Sequence, residues 1–160
     1  MAVSDYFAEV YVAGRFADAD WNVYFPHRDK GFDFIVSKPD GHGGQILRPV
    51  QVKGKYPTRE KRDKPTYGYV GRLTQLHPEM VLAVPYFSAV ASPAPTCIAY
   101  LPISLIRKHA RGYRCEPALF HAGLPRPRRD FAGFFDDAGL LALEAAWWKD
   151  STTHGVPRAT

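Results

Sequence analysis

The sequence predicts an α/β domain of the mixed, α+β kind, with helices packed on a mixed sheet. Three observations predict it. A proline-free stretch with apolar residues at helical spacing comes first, several short runs rich in β-branched and aromatic residues follow, and further helical patterns close the chain. A length of 160 residues suits one domain with a substantial core, and 46% hydrophobic against 23% charged residues excludes a disordered chain. Residues 1–150 are expected to form that single domain, and 151–160 a flexible tail.

The first helix is expected over residues 4–18, where Phe7, Val10, Tyr11, Gly14 and Ala17 recur at helical spacing and Ser4 or Asp5 is available as a cap. Residues 21–25, 32–36 and 46–52 read as three strands. The turn-rich segment Pro39, Asp40, Gly41, His42, Gly43, Gly44 between the second and third predicts an antiparallel hairpin. A short helix is expected over 73–77, followed by strands over 80–84 and 97–101. The run from Met80 to Ala91 is broken by Pro85 and is too short for a bilayer, which takes roughly 20 apolar residues, so it reads as a buried strand. Helices are expected over 103–110 and 138–149, joined by a basic surface loop, LPRPRRD.

Lys and Arg number 21 against 16 Asp and Glu, and the net charge of +5 suits an anionic partner. Cys97 and Cys115 form no CxxC pair and lie near no histidine at zinc-finger spacing, so neither a disulfide framework nor structural zinc is expected. Asp5 and Glu9 precede any basic residue, the reverse of a secretory signal. A reducing, cytoplasmic setting without a membrane partner is the expectation. No HExxH, no GxSxG elbow and no glycine-rich nucleotide loop is present, and GHGG reads as a turn.

Strand alternation turns Gln51 and Lys53 to one face and Val50 and Val52 to the other. Asp33, between Phe32 and Phe34 on the adjoining strand, reaches the same place in a suitable hairpin register. A carboxylate and an amide oxygen are hard ligands for magnesium or manganese, and a neighbouring lysine can orient the attacking water in phosphodiester hydrolysis. Asp33 can equally serve as an ion-pair partner of Lys53. Glu9 is the one charged residue between Tyr6 and Gly14, which makes an idle glutamate less expected there. Lys55, Arg59, Lys61, Arg62 and Lys64, interleaved with Tyr56 and Tyr67, can hold a phosphate backbone or form a solvated loop. Gln75 can reach the site or the nucleic acid, while His77 can simply end its helix beside Pro78.

Glu9, then GFDFIV around Asp33, then VQVKGK around Gln51 and Lys53, resemble the PD-(D/E)xK nuclease superfamily over roughly residues 3–101. The resemblance implies a restriction-endonuclease-like αβββαβ core, here with additional C-terminal helices. It implies a magnesium- or manganese-dependent endonuclease or resolvase-like enzyme hydrolysing DNA. In that scheme Asp33 is the central metal ligand, Gln51 takes the second acidic position, the Val52 carbonyl adds a ligand, Lys53 is the catalytic lysine and Glu9 supports metal or water. Many members dimerise, so a homodimer is also implied. Two departures stand out: Gly31 and Phe32 precede Asp33 where the motif has proline, and Gln51 replaces an acid. The competing readings are a nuclease-fold module that binds nucleic acid without cleaving it, and an α+β interaction domain presenting Trp147 and Trp148, although these two tryptophans read more readily as the packed face of the last helix.

Overall fold

The computed structural model describes residues 3–28, 31–57, 69–73, 76–88 and 93–150. Its elements are α1 (Val3–Asp18), β1 (Asn22–Tyr24), β2 (Phe34–Pro39), β3 (Gln45–Val52), β4 (Tyr69–Gly71), β5 (Val81–Tyr86), β6 (Cys97–Pro102), β7 (Arg107–His109), β8 (Gly112–Arg114), β9 (Ala118–His121), β10 (Leu124–Pro127), α2 (Asp136–Ala142) and α3 (Trp147–Asp150). Short 3-10 turns occupy Ile103–Leu105 and Arg129–Phe134. The main sheet has the order β1-β2-β3-β5-β6; β4-β8-β7 and β9-β10 form two smaller sheets. Among the described residues no helix is long and apolar enough to cross a membrane.

In α1 the buried residues Ala8, Val12 and Phe16 recur every four positions and form one stripe. The Phe16 ring meets Phe34 edge-on at 5.9 Å and Tyr100 at 5.4 Å, which sets α1 on the sheet face carrying Phe34, Val36, Val50 and Val52. Truncating a ring so enclosed costs about 3–5 kcal/mol, so Phe16 alone holds a large fraction of the stability. β5 and β6 are buried at all twelve positions: β5 lies between β3 and β6, and β6, at the sheet edge, is covered by α2 and the Arg129–Phe134 turn. That explains the apolar run read in the sequence.

β1, β2 and β3 form an antiparallel meander, and β3 then pairs parallel with β5. The β2–β3 turn closes on Asp40, whose carboxylate accepts the N–H groups of His42 at 2.7 Å and Gly44 at 3.0 Å. Gly41 and Gly43 take φ of 82° and 84° there, a region glycine enters without strain. The mixed α+β architecture is as expected. The crossover helix that would complete an αβββαβ core does not occur among the described residues between β3 and β5, where the chain instead forms β4.

Several sequence expectations are corrected. Residues 103–110 are not a helix: a 3-10 turn leads into β7, which pairs with β8 around a two-residue turn, so tertiary pairing overrides a weak helical pattern. The helix expected over 138–149 is interrupted after Ala142. There the Leu143 carbonyl accepts Arg48 Nε at 3.2 Å and Nη2 at 3.1 Å, which takes the acceptor a continuing helix would use. The loop LPRPRRD begins as β10, paired with β9 across Ala122 and Gly123, both at positive φ (51° and 77°), the geometry of a tight two-residue hairpin. Leu73, Leu76 and His77 are not helical either, and the two residues between Leu73 and Leu76 lie outside the described set. His77 Nδ1 accepts the Glu79 N–H at 3.1 Å in a turn before β5. Trp148 is fully buried and donates its Nε1–H to the Met80 carbonyl, so it belongs to the core and presents no partner surface.

Candidate functional site

The register that pairs Phe34 with Val50 sets Asp33, one step further, opposite Gln51. The ladder breaks there. Asp33 donates its N–H to the Val50 carbonyl at 2.9 Å, and its carboxylate Oδ2 accepts the Val52 N–H at 2.6 Å, standing in for a strand carbonyl. Gly31, at φ 103°, supplies the turn into this position. Alternation then puts Asp33, Gln51, Lys53 and Lys55 on the face opposite α1.

These four side chains open on a cavity of about 350 Å³ at the end of the sheet, which Val52 also lines. Asp5 and Glu9 reach it from α1, one helical turn apart, and Arg72 reaches it from the residue after β4. Gly54 gives the Tyr56 ring its room, since an added Cβ would stand 3.1 Å from that ring, while Ala8 Cβ of α1, at 3.5 Å, would be in ordinary contact. Three acids and three bases therefore share one cavity wall.

Gln51 is only 7% exposed, and its Oε1 is buried without a hydrogen-bond partner among the described residues. A buried amide oxygen so placed costs about 1–3 kcal/mol, which a ligand with positive charge or a donor would recover. Lys55 bridges the chain to β5 and beyond through its backbone, with its N–H on Pro85 and its carbonyl accepting from Phe87. Burial, and secondarily the nearby Lys53, push the Lys55 ammonium down to about 8.

The structure thus brings Glu9, Asp33, Gln51, Val52, Lys53 and Lys55 to one cavity. Tyr56 is not in its wall: its ring stacks on Phe87 at 4.6 Å with planes 8° apart. Arg59, Lys61, Arg62, Lys64, Tyr67 and Gln75 lie outside the described residues. Sequence reasoning missed Arg72 and Asp5. The four-residue spacing of Asp5 and Glu9 was a usable signal, whereas nothing local marks Arg72.

Among the described residues no group of three His, Cys, Asp or Glu side chains forms a metal cluster. The donors present at the cavity are oxygens: the Asp33 carboxylate and the unpartnered Gln51 amide, with Asp5 and Glu9 in the same wall. That set fits a hard divalent cation such as magnesium or manganese and not zinc. The two cysteines are free and buried, and burial pushes both thiols up to about 12. No protein-family model, curated protein or solved structure matches the chain.

Proposed function

We propose that this chain is a divalent-metal-dependent endonuclease or resolvase-like enzyme that hydrolyses DNA phosphodiester bonds at the Asp33 cavity. The observation that carries the reading is the buried, unpartnered Gln51 Oε1 in the same cavity as Asp33 and Lys53. Asp33, Gln51 and the Val52 carbonyl would hold magnesium or manganese, with Glu9 supporting from α1. When bound, the cation stabilises the charge that develops on the scissile phosphate.

Asp33 contributes a fixed negative charge, oriented by the Val52 N–H. Lys53 contributes a positive charge on the same face, where it orients the attacking water or meets a phosphate oxygen. Lys55 and Arg72, in the same wall, offset the charge of the incoming backbone.

The test is nicking of plasmid, branched DNA and RNA with magnesium, manganese or chelator, beside calorimetric titration with manganese. Asp33→Ala is expected to lose both cleavage and manganese binding; Lys53→Ala is expected to keep binding and lose cleavage. A non-cleaving, nuclease-fold nucleic-acid-binding module is the second reading. The neutral amide of Gln51 favours it, because an amide holds a divalent cation less strongly than a carboxylate. Binding without metal-dependent cleavage would establish it.

A further inference from the structure

The C-terminal half carries a second and larger concavity, about 560 Å³, between the β7–β8 hairpin and the turn that follows β10. Its positive wall is made by Arg107, Lys108, Arg114 and Arg128, with Glu116 and Asp130 as the acids. Two features there are costly in isolation. Arg107 stands directly opposite Arg114 in the β7–β8 register, and like charges directly opposite across a ladder are destabilising. Arg114 also has a buried Nε without a hydrogen-bond partner among the described residues.

Glu116 offsets part of this. Its carboxylate lies 3.4 Å from Arg114 Nη2 and 3.8 Å from Arg128 Nη1, so one acid is shared between two guanidinium groups. Basic residues on an exposed edge strand such as β7 also discourage edge-to-edge pairing. That purpose needs charge pointing outward. It does not need an arginine opposite an arginine with a buried donor left over, whereas a phosphate accepts from guanidinium groups in a fork and offsets the repulsion between them.

The cleft is tied to the Asp33 cavity by the β4-β8-β7 sheet, because Arg72 directly follows β4 and lines that cavity. Two strand spacings separate β4 from β7, about 10 Å, or about three base-pair rises of duplex at 3.4 Å each. We propose that the Arg107–Arg114 cleft is a second contact for the phosphate backbone of the nucleic acid that enters the Asp33 cavity. The inference rests on the nuclease reading for its partner, but its residues are separate from that site.

The test is anisotropy of a labelled duplex in chelator, so that binding is read without cleavage, across a salt series. The double variant Arg107→Gln, Lys108→Gln is expected to lower the slope of log K against log salt by about 2, roughly 60-fold at 0.1 M salt relative to a fixed 1 M intercept. Both residues are exposed, so the fold is unaffected. Arg15→Gln, which lines neither cavity, is the control for loss of a single positive charge elsewhere and should leave the slope within a few tenths, against about 1 for each cleft residue. Cleft variants that bind like wild type, while Asp33-dependent cleavage persists, overturn the cleft and leave the nuclease reading standing. A lowered slope without any metal-dependent cleavage supports the cleft and sinks the nuclease. Equal competition by polyglutamate assigns the cleft to an acidic protein and overturns the proposal, as does a wild type that binds no nucleic acid.

Discussion

Replacing Gln51 by methionine separates a functional amide from a structural one. The side chain is 7% exposed and its Oε1 lacks a partner among the described residues, so the native residue carries a desolvation cost of about 1–3 kcal/mol. Methionine is unbranched, of similar reach and adaptable in irregular gaps. Gln51→Met should therefore stabilise the metal-free protein by about 1–3 kcal/mol, which for a domain of this size raises Tm by about 2–12 °C. Manganese at a hundred times the wild-type Kd should add about 2.7 kcal/mol to the wild type and less to the variant, which keeps Asp33 but loses one ligand, narrowing the gap. Thermal melts with chelator and with manganese, followed by circular dichroism, read both effects. A variant less stable than wild type by more than about 1 kcal/mol in chelator would refute the reasoning, because the amide oxygen would then be bonded within the fold.

Four further outcomes follow from the same structure. Gln51→Glu should tighten manganese binding in calorimetry, since a second carboxylate joins Asp33, and unchanged affinity would place the cation elsewhere. The Lys55 ammonium, pushed down to about 8 from an ordinary 10.5, gives a pH signature. The unfolded chain keeps that proton between those values and the folded chain does not, so the stability of wild type relative to Lys55→Met should rise with pH across this window; a flat difference in Tm would count against burial of the charge. Arg48, 3% exposed, bonds the Leu143 carbonyl twice and Glu79 once at 3.1 Å, so Arg48→Ala should cost about 2–3 kcal/mol, whereas Glu79→Gln, at a partly exposed acid, should cost under about 1 kcal/mol; equal losses in denaturant titration would mean that the ion pair, and not the helix-end carbonyl, holds this corner. Cys97 and Cys115, both buried with thiols near 12, should react with a disulfide reagent at neutral pH only after denaturant is added, and prompt labelling of the native protein would contradict their placement.

Where one periodicity dominated, the sequence was legible. The proline-free helical spacing announced α1, although of the residues that suggested it Phe7, Val10, Gly14 and Ala17 are exposed and the buried stripe is Ala8, Val12 and Phe16; the apolar runs announced β5 and β6, and PDGHGG announced the β2–β3 turn. The positions of Asp33, Gln51 and Lys53 on one face followed from alternation and a hairpin register. The C-terminal half was illegible for a physical reason: β7, β8, β9 and β10 are three or four residues long, too short for a period-2 pattern to separate strand from helix. The β9–β10 turn used alanine at φ 51° where asparagine or aspartate is the usual signal, and the break after α2 depended on Arg48, about 95 positions away in the chain.

Both candidate sites lie where a local rule fails while its surroundings obey it. β3 pairs regularly with β2 and β5, yet at Gln51 an amide oxygen is buried without a partner among the described residues, and the neighbouring ladder position is filled by the Asp33 carboxylate. The β7–β8 hairpin pairs regularly, yet sets arginine against arginine over a cleft. Conflicts of this kind are removed readily by substitution when nothing is gained from them, so two in one small chain point to ligands that resolve them. The charges of the two places differ, and the proposals expect that difference: the Asp33 cavity mixes three acids with three bases, suited to a cation beside a phosphate, whereas the cleft is net positive, suited to a phosphate alone.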